Sequence, residues 1–148
     1  MMRRGFSLMT AIIIMMTVSL LMTMMVSLSG VTVKTTTDLY LKEQAELLAR
    51  SATEYALLAV SGHDNHQSCI EDINIRYPSA ANPTHEMNVS IWYMGSGLPG
   101  SCTHILDDNL STDDSNMTAI VDVIVTVDQN NTGITEPIRL HRRTLQKF

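Results

Sequence analysis

One group of side chains in this sequence is of a type that binds metal ions. Four aspartates fall within a short polar stretch: Asp107, Asp108, Asp113 and Asp114. Clustered carboxylates with asparagines nearby are hard oxygen donors of the kind that suit Ca²⁺. The spacing does not match an EF-hand, so these aspartates are calcium candidates, and a solvated acidic loop is the alternative interpretation.

A second charged group lies at the C-terminal end. Four of the ten Lys and Arg residues occur there: Arg139, Arg142, Arg143 and Lys147. Basic side chains contact phosphates and drive non-specific binding to nucleic acid. On an alternating strand, however, Arg139, His141 and Arg143 share one face, while Leu140 and Arg142 share the other. Few cations are displayed together, so nucleic acid is not expected as a partner, and a charged strand edge that discourages aggregation is the alternative.

No motif for catalysis accompanies these groups. The chain of 148 residues contains no Gly-x-Ser-x-Gly, no Walker loop and no His-Glu-x-x-His. About 115 residues remain beyond the N-terminal apolar run, which is enough for one small domain. We therefore expect a protein that is not an enzyme.

The elements that position these groups begin with a long uncharged run. From Gly5 to Val33 there is no Asp, Glu, Lys, Arg or His, and Arg3 and Arg4 precede it. A helix needs about 20 apolar residues to cross a bilayer. The arginines favour a cytoplasmic N-terminus, so the rest of the chain is expected on the far side. A secretory signal peptide is the weaker interpretation, because its apolar core is shorter and a small-residue cleavage site follows.

The start of this run resembles a known family. A short basic leader, then Gly5, Phe6 and a long apolar helix, resembles the N-terminal signal of type IV pilins and type II secretion pseudopilins. In that family a prepilin peptidase cuts after the glycine, methylates the new N-terminal Phe and leaves the apolar segment in place. The resemblance implies cleavage between Gly5 and Phe6. A simple signal-anchor helix that begins with the same residues is the alternative.

Thr10 departs from the family pattern at the fifth position of the mature chain. Major pilins usually carry Glu there, and its role is to pair with the amino terminus of the neighbouring subunit. A carboxylate in lipid is costly unless it is paired, and threonine supplies neither that need nor the attraction. The resemblance therefore implies a minor or atypical subunit rather than the bulk subunit.

Two cysteines, Cys69 and Cys102, lie on the side of the span that is expected to be outside the cytoplasm. That compartment is oxidising in a bacterium, so we predict a disulfide between them. It would close a loop of about 30 residues and stabilise the fold by roughly 3–4 kcal/mol in the chain-entropy model. Two free thiols are the alternative, and the spacing fits no zinc site.

Beyond Lys34 the pattern changes from uniformly apolar to amphipathic. Apolar residues recur at steps of four and three, which is one face of a helix: Leu41, Ala45, Leu48, Ala52, Tyr55 and Ala59. Ser61 and Gly62 are expected to end the helix. We predict a helix from about Ser7 to Val60, with a bend near Gly30.

Four alternating segments follow and predict strands: Ile73–Tyr77, Met87–Tyr93, Ala119–Val127 and Glu136–Gln146. Short connections favour an antiparallel meander, whose apolar face the helix can cover. The predicted class is α+β and pilin-like, a long N-terminal helix packed on a small four-stranded antiparallel sheet. The predicted segments are a leader peptide (1–5), a transmembrane half of the helix (6–33), an amphipathic half (34–61) and a periplasmic β-rich head (62–148).

From the resemblance we expect a prepilin-like, minor structural subunit of a type IV pilus or type II secretion pseudopilus. Its partners would be other pilin or pseudopilin subunits, the prepilin peptidase and an inner-membrane assembly platform. It would be a single-pass protein of the bacterial inner membrane, with its head in the periplasm, before it enters a filament. No cofactor is expected apart from the calcium candidate. The alternative is a single-span, membrane-anchored binding or adhesion module that does not polymerise.

Overall fold

The computed structural model describes residues 4–65, 67–110, 117–134 and 136–147. Within these ranges the elements are α1 (Arg4–Gly62), β1 (Asp72–Tyr77), β2 (His85–Gly95), β3 (Ile105–Asp107), β4 (Met117–Val127), α2 (Gln129–Thr132) and β5 (Arg139–Lys147). The chain divides into two units between Leu39 and Tyr40. The α+β class is confirmed, because the second part of a long N-terminal helix packs on a small, mainly antiparallel sheet.

Helix α1 is continuous over 59 residues. Its sequence is rich in Leu, Met and Ala, which are strong helix formers. It ends at Gly62, where the carbonyl of Val60 accepts the backbone N–H of His63 at 3.3 Å and the side-chain amide of Asn65 at 2.9 Å. These two bonds satisfy a carbonyl that has no partner within the helix.

The four long strands follow one another across the sheet in the order β1, β2, β4, β5, all antiparallel. The sequence did not predict the short fifth strand, β3, which pairs parallel to β2. Strand β1 pairs with His85–Ser90 and β3 pairs with β2 at Tyr93 and Met94, so both lie along the same edge of β2. A three-residue strand has too few residues to show an alternating pattern.

The helix contacts the sheet through small side chains. Its fully or almost fully buried residues include four alanines: Ala45, Ala49, Ala52 and Ala56. The facing strands supply β-branched and aromatic side chains, among them Ile91, Tyr93 and Val123, which are completely buried. Short side chains on the helix leave room for larger ones on the sheet, and both sets belong to one buried core.

The predicted apolar face of α1 was wrong at Tyr55, which is 55% exposed. Leu41, Ala45 and Ala52 are buried as predicted, and Leu48 and Ala59 are half-buried. The buried face instead follows the alanines, because a tyrosine would not fit between the helix and a sheet surface that is already filled by large side chains.

His85 joins the sheet to the first turn of the helix in the second unit. It is completely buried at the start of β2. Its Nε2 lies 3.3 Å from the carbonyl oxygen of Leu41, and its Nδ1 lies 2.9 Å from the hydroxyl of Thr84. Both ring nitrogens are therefore partnered, as a buried polar side chain requires.

Candidate functional site

Residues 8–33 of α1 present apolar side chains to the surroundings on every side. Each of these residues is exposed, and Met15 and Val26, for example, are 75% and 74% exposed. Leaving a large aliphatic side chain in water costs roughly 1.5–3 kcal/mol relative to burying it. Helix α1 is long and apolar enough to cross a membrane, and its exposure distinguishes it from the core helix of a soluble protein. A signal sequence would satisfy the same length and composition criteria.

Several hydroxyl groups along this segment bond to the helix itself. The hydroxyl of Thr17 donates to the carbonyl of Ile14 at 2.9 Å, and that of Thr23 donates to the carbonyl of Leu20 at 2.8 Å. Similar bonds recur between Ser29 and Thr37. Because these hydroxyls are satisfied locally, they can face lipid or a neighbouring helix without needing a polar partner there.

The predicted processing residues lie at the beginning of the same helix. Gly5 and Phe6 belong to the first turn of α1, which begins at Arg4. Glycine is a poor helix former, by about 1 kcal/mol relative to alanine. Thr10, the atypical assembly position, is exposed farther along α1.

A second apolar surface lies on the second half of α1, on the side away from the sheet. It consists of four exposed side chains: Tyr40, Leu47, Tyr55 and Leu58, of which Leu58 is 71% exposed. We call this surface the outer stripe. A stripe of large apolar side chains on a helix that already buries its opposite face is typical of a protein contact. Sequence reasoning missed it, because it assigned Tyr55 to the core.

The Cys69–Cys102 disulfide is present, as predicted, with the two Cα atoms 5.4 Å apart. Cys69 lies in the segment between α1 and β1, and Cys102 lies between β2 and β3. The bond therefore fastens the segment after the helix to the segment after the second strand.

A carboxylate reinforces this junction, and no local sequence pattern predicts it. Glu71 accepts the hydroxyl of Thr103 at 2.6 Å, the backbone N–H of His104 at 2.9 Å and also the backbone N–H of Thr103. These hydrogen bonds, that of the Thr103 hydroxyl first, lower the pKa of Glu71 from 4.5 to about 2. The ionised carboxylate thus holds the chain that leads from the disulfide into β3.

The structure describes two of the four calcium candidates, Asp107 and Asp108. Asp107 ends β3 and Asp108 follows it, and both are exposed. A side-chain oxygen of Asp107 accepts the backbone N–H of Asn109 at 2.9 Å, which makes a local turn. Asp113 and Asp114 lie outside the described residues. Among the described residues, no three His, Cys, Asp or Glu side chains are grouped as a metal site.

The C-terminal basic residues all lie on strand β5. The predicted alternation is observed: Arg139, His141 and Arg143 pair with Thr126, Ile124 and Asp122 on the face of the sheet opposite the helix. The Asp122 carboxylate contacts both His141 and Arg143. Partial burial acts to raise the pKa of Asp122, but the hydrogen bonds from Arg143 and His141 outweigh it, so the pKa lies below its usual value. The pair of contacts neutralises the centre of this face.

A stacked aromatic pair lies on the same face of the sheet as Asp122, His141 and Arg143, and the sequence analysis did not predict it. The rings of Trp92 and His104 stack with their centroids 4.4 Å apart. Trp92 pairs with Ile120 on β4, and Ile120 pairs with Leu145 on β5. The alternation around Trp92 placed it on the polar face, and only the register shows that apolar residues from three strands meet there.

Comparisons of the chain with protein-family models, with curated proteins and with solved structures find no match.

Proposed function

We propose that this chain is a prepilin-like, minor structural subunit of a type IV pilus or type II secretion pseudopilus. The observation that carries the proposal is helix α1, whose first half exposes apolar side chains in all directions while its second half packs on a small sheet. Such a first half is suited to lipid before assembly and to a bundle of similar helices afterwards. An inner-membrane anchor with a periplasmic head follows from the same proposal.

The outer stripe supports an assembling protein rather than a simple anchor. A membrane anchor needs apolar residues only in the part that crosses the bilayer, yet Leu47 and Leu58 remain exposed on the helix of the second unit. In a filament this stripe would be covered by helices of neighbouring subunits. Burying each of these leucines would contribute roughly 1.5–3 kcal/mol.

The processing motif and Thr10 define the kind of subunit. The resemblance at Gly5 and Phe6 assigns the prepilin peptidase as a partner and Phe6 as the methylated N-terminus of the mature chain. Thr10 supplies no carboxylate for the amino group of a neighbour. The subunit is therefore expected to be rare in the filament and to occupy a place, such as the tip, where that pairing is not needed.

Two measurements test the proposal. Mass spectrometry of the membrane-extracted chain should find residues 1–5 removed and a methyl group on Phe6. Quantitative proteomics of sheared filaments should find the chain at a small fraction of the main subunit. An intact N-terminus in cells with an active prepilin peptidase would contradict the proposal. A dominant abundance would contradict only the minor role.

The absence of the family carboxylate at Thr10 also fits the alternative, because a chain that never assembles has no need of it. That alternative is a non-polymerising, single-span anchored binding or adhesion module. That module would keep its first five residues and would stay in the membrane fraction when filaments are sheared. The Thr10→Glu variant separates the two functions further. It should increase incorporation of a filament subunit by restoring the family carboxylate, whereas an anchor would gain only a costly charge in lipid.

A further inference from the structure

Strand β5 has one edge that no other strand in the described part of the chain pairs with. Its residues from Arg139 to Lys147 bond to β4 on one side, and β5 is the last strand in the sheet order. The unpaired N–H and C=O groups of such an edge can accept a further strand. Seven of the nine residues of this strand are exposed and the other two are half-buried, so no residue along the edge is buried.

The charge of β5 is strongly one-sided. It contains three arginines and one lysine and no acidic residue, in a chain whose formal net charge is −5. Arg143 is paired with Asp122. Within the described residues, Arg139, Arg142 and Lys147 form no ion pair. Each of these three is exposed.

The three unpaired cations project to both faces of the sheet. Arg139 and Lys147 share the face of Trp92, whereas Arg142 pairs with Val123, which faces the helix. A ligand that lies flat on one face, as a nucleic-acid strand would, cannot reach all three. A strand added along the edge can, because its own side chains alternate between the same two faces.

We propose that β5 binds an extended acidic segment of another protein by strand addition. A second copy of β5 is disfavoured as the occupant, because a fully overlapping antiparallel pair would place Arg139 opposite Lys147 and Arg143 opposite Arg143. Strand β1, at the other side of the sheet, contains Arg76 and a single acidic residue, Asp72. The described strands of this chain therefore do not supply the occupant, and the inference does not depend on the filament.

The register of β5 defines the sequence that the partner needs. Counting along an antiparallel partner from the residue opposite Lys147, acidic residues belong at the first, sixth and ninth positions, opposite Lys147, Arg142 and Arg139. Apolar residues belong at the third and eighth positions, opposite Leu145 and Leu140. The peptide Glu-Thr-Val-Thr-Thr-Glu-Thr-Val-Glu satisfies this pattern.

The test measures binding of this peptide, carrying a fluorescent label, to the full chain in detergent micelles by fluorescence anisotropy. The Arg142→Glu variant should weaken binding about tenfold, since an attractive cross-strand pair becomes a repulsive one. The Lys42→Glu variant makes the same change of charge on an exposed position of α1 and should change affinity less than twofold. Equal weakening by both variants would overturn the proposal.

Two further probes separate strand addition from simple charge attraction. The amides of alternate peptide residues point to opposite edges, so N-methylation of one alternate set should abolish binding while the other set should preserve it. A scrambled peptide of the same composition should bind at least fivefold more weakly. Undiminished binding by both methylated peptides, equal binding by the scrambled peptide, or tighter binding by a single-stranded DNA of equal charge would each overturn the proposal.

Discussion

The two halves of helix α1 have the same backbone conformation and opposite relations to their surroundings. From Leu8 to Val33 the side chains are exposed on all sides, and most are large and apolar. From Leu41 to Val60 one face is buried, and the residues on it are mostly alanine. Helix propensity does not distinguish the halves, since Ala, Leu and Met are all strong helix formers. The difference lies in what packs against each half of the helix.

The two halves differ in what buries their apolar side chains. In the described structure the chain itself buries one face of the second half and leaves the first half exposed. In the second half the sheet covers that face, and small residues permit a close fit. In the first half, large flexible residues such as Met15 and Met16 suit packing against lipid or against varied neighbours. A substitution should therefore affect folding in the second half, and processing or assembly in the first.

The largest expected effect is a block of processing in the first half. Under the proposed function, a prepilin peptidase would meet a branched side chain in the Gly5→Val variant where the pilin family has glycine, and we expect residues 1–5 to be retained completely. The matched control is Gly30→Val in the same helix, where an added Cβ meets no atom within 4 Å. Intact-mass measurement of both proteins would decide, and normal removal of the leader from the Gly5→Val protein would contradict the predicted site.

The next effect belongs to the second unit, which the disulfide crosslinks. Replacing both cysteines by serine should lower the free energy of unfolding by about 3–4 kcal/mol in the chain-entropy model. Trp92 is the single tryptophan and lies on the sheet, so its fluorescence reports unfolding in denaturant. Reductant should destabilise the native chain and leave the double variant unchanged. A native chain that is equally stable with and without reductant would refute this contribution.

A smaller effect compares the two halves directly. The Ala49→Leu variant forces a larger side chain between helix and sheet, and it should destabilise the second unit by about 1–3 kcal/mol. The Ala11→Leu variant makes the same change at an exposed position and should alter unfolding by less than about 0.5 kcal/mol. Denaturation followed through Trp92 measures both. Similar destabilisation by the two variants would show that position 49 is no more tightly packed than the exposed position 11.

Much of the fold could be predicted because its signals are local. The uncharged run, the apolar strand β4 and the helix end at Ser61 and Gly62 can each be recognised from one continuous stretch of the sequence. The disulfide was predictable because the chain contains only two cysteines. Strand ends differed by a few residues, as for β5, which begins at Arg139 rather than Glu136.

The features that were missed depend on contacts between distant residues. Strand β3 forms where the backbone N–H of Tyr93 donates to the carbonyl of His104 at 2.8 Å, and no local pattern announces it. The buried face of α1 was misplaced at Tyr55, because periodicity alone does not tell which apolar residues the sheet has room for. Glu71 and Trp92 acquire their partners from residues distant in sequence, Glu71 from the segment before β3 and Trp92 from His104 and the register of β4.

The smallest expected effect is a dependence of stability on pH in the second unit, caused by Glu71. Hydrogen bonds to its carboxylate lower its pKa in the folded chain to about 2, against 4.5 for the ordinary group. Folding is therefore favoured by the ionised form above about pH 4.5, and this contribution is lost as the pH falls from 4.5 towards 2.

The Glu71→Gln variant should lose about 1 kcal/mol of unfolding free energy at neutral pH. This is at the low end for charged hydrogen bonds, because the carboxylate is partly exposed. The native chain should lose stability in acid more steeply than the Glu71→Gln variant, which lacks this carboxylate. Asp122 also has a lowered pKa, so the Asp122→Asn variant is the control that should keep the acid dependence due to Glu71. Parallel acid profiles for the native chain and Glu71→Gln would show that Thr103 and His104 do not depend on this carboxylate.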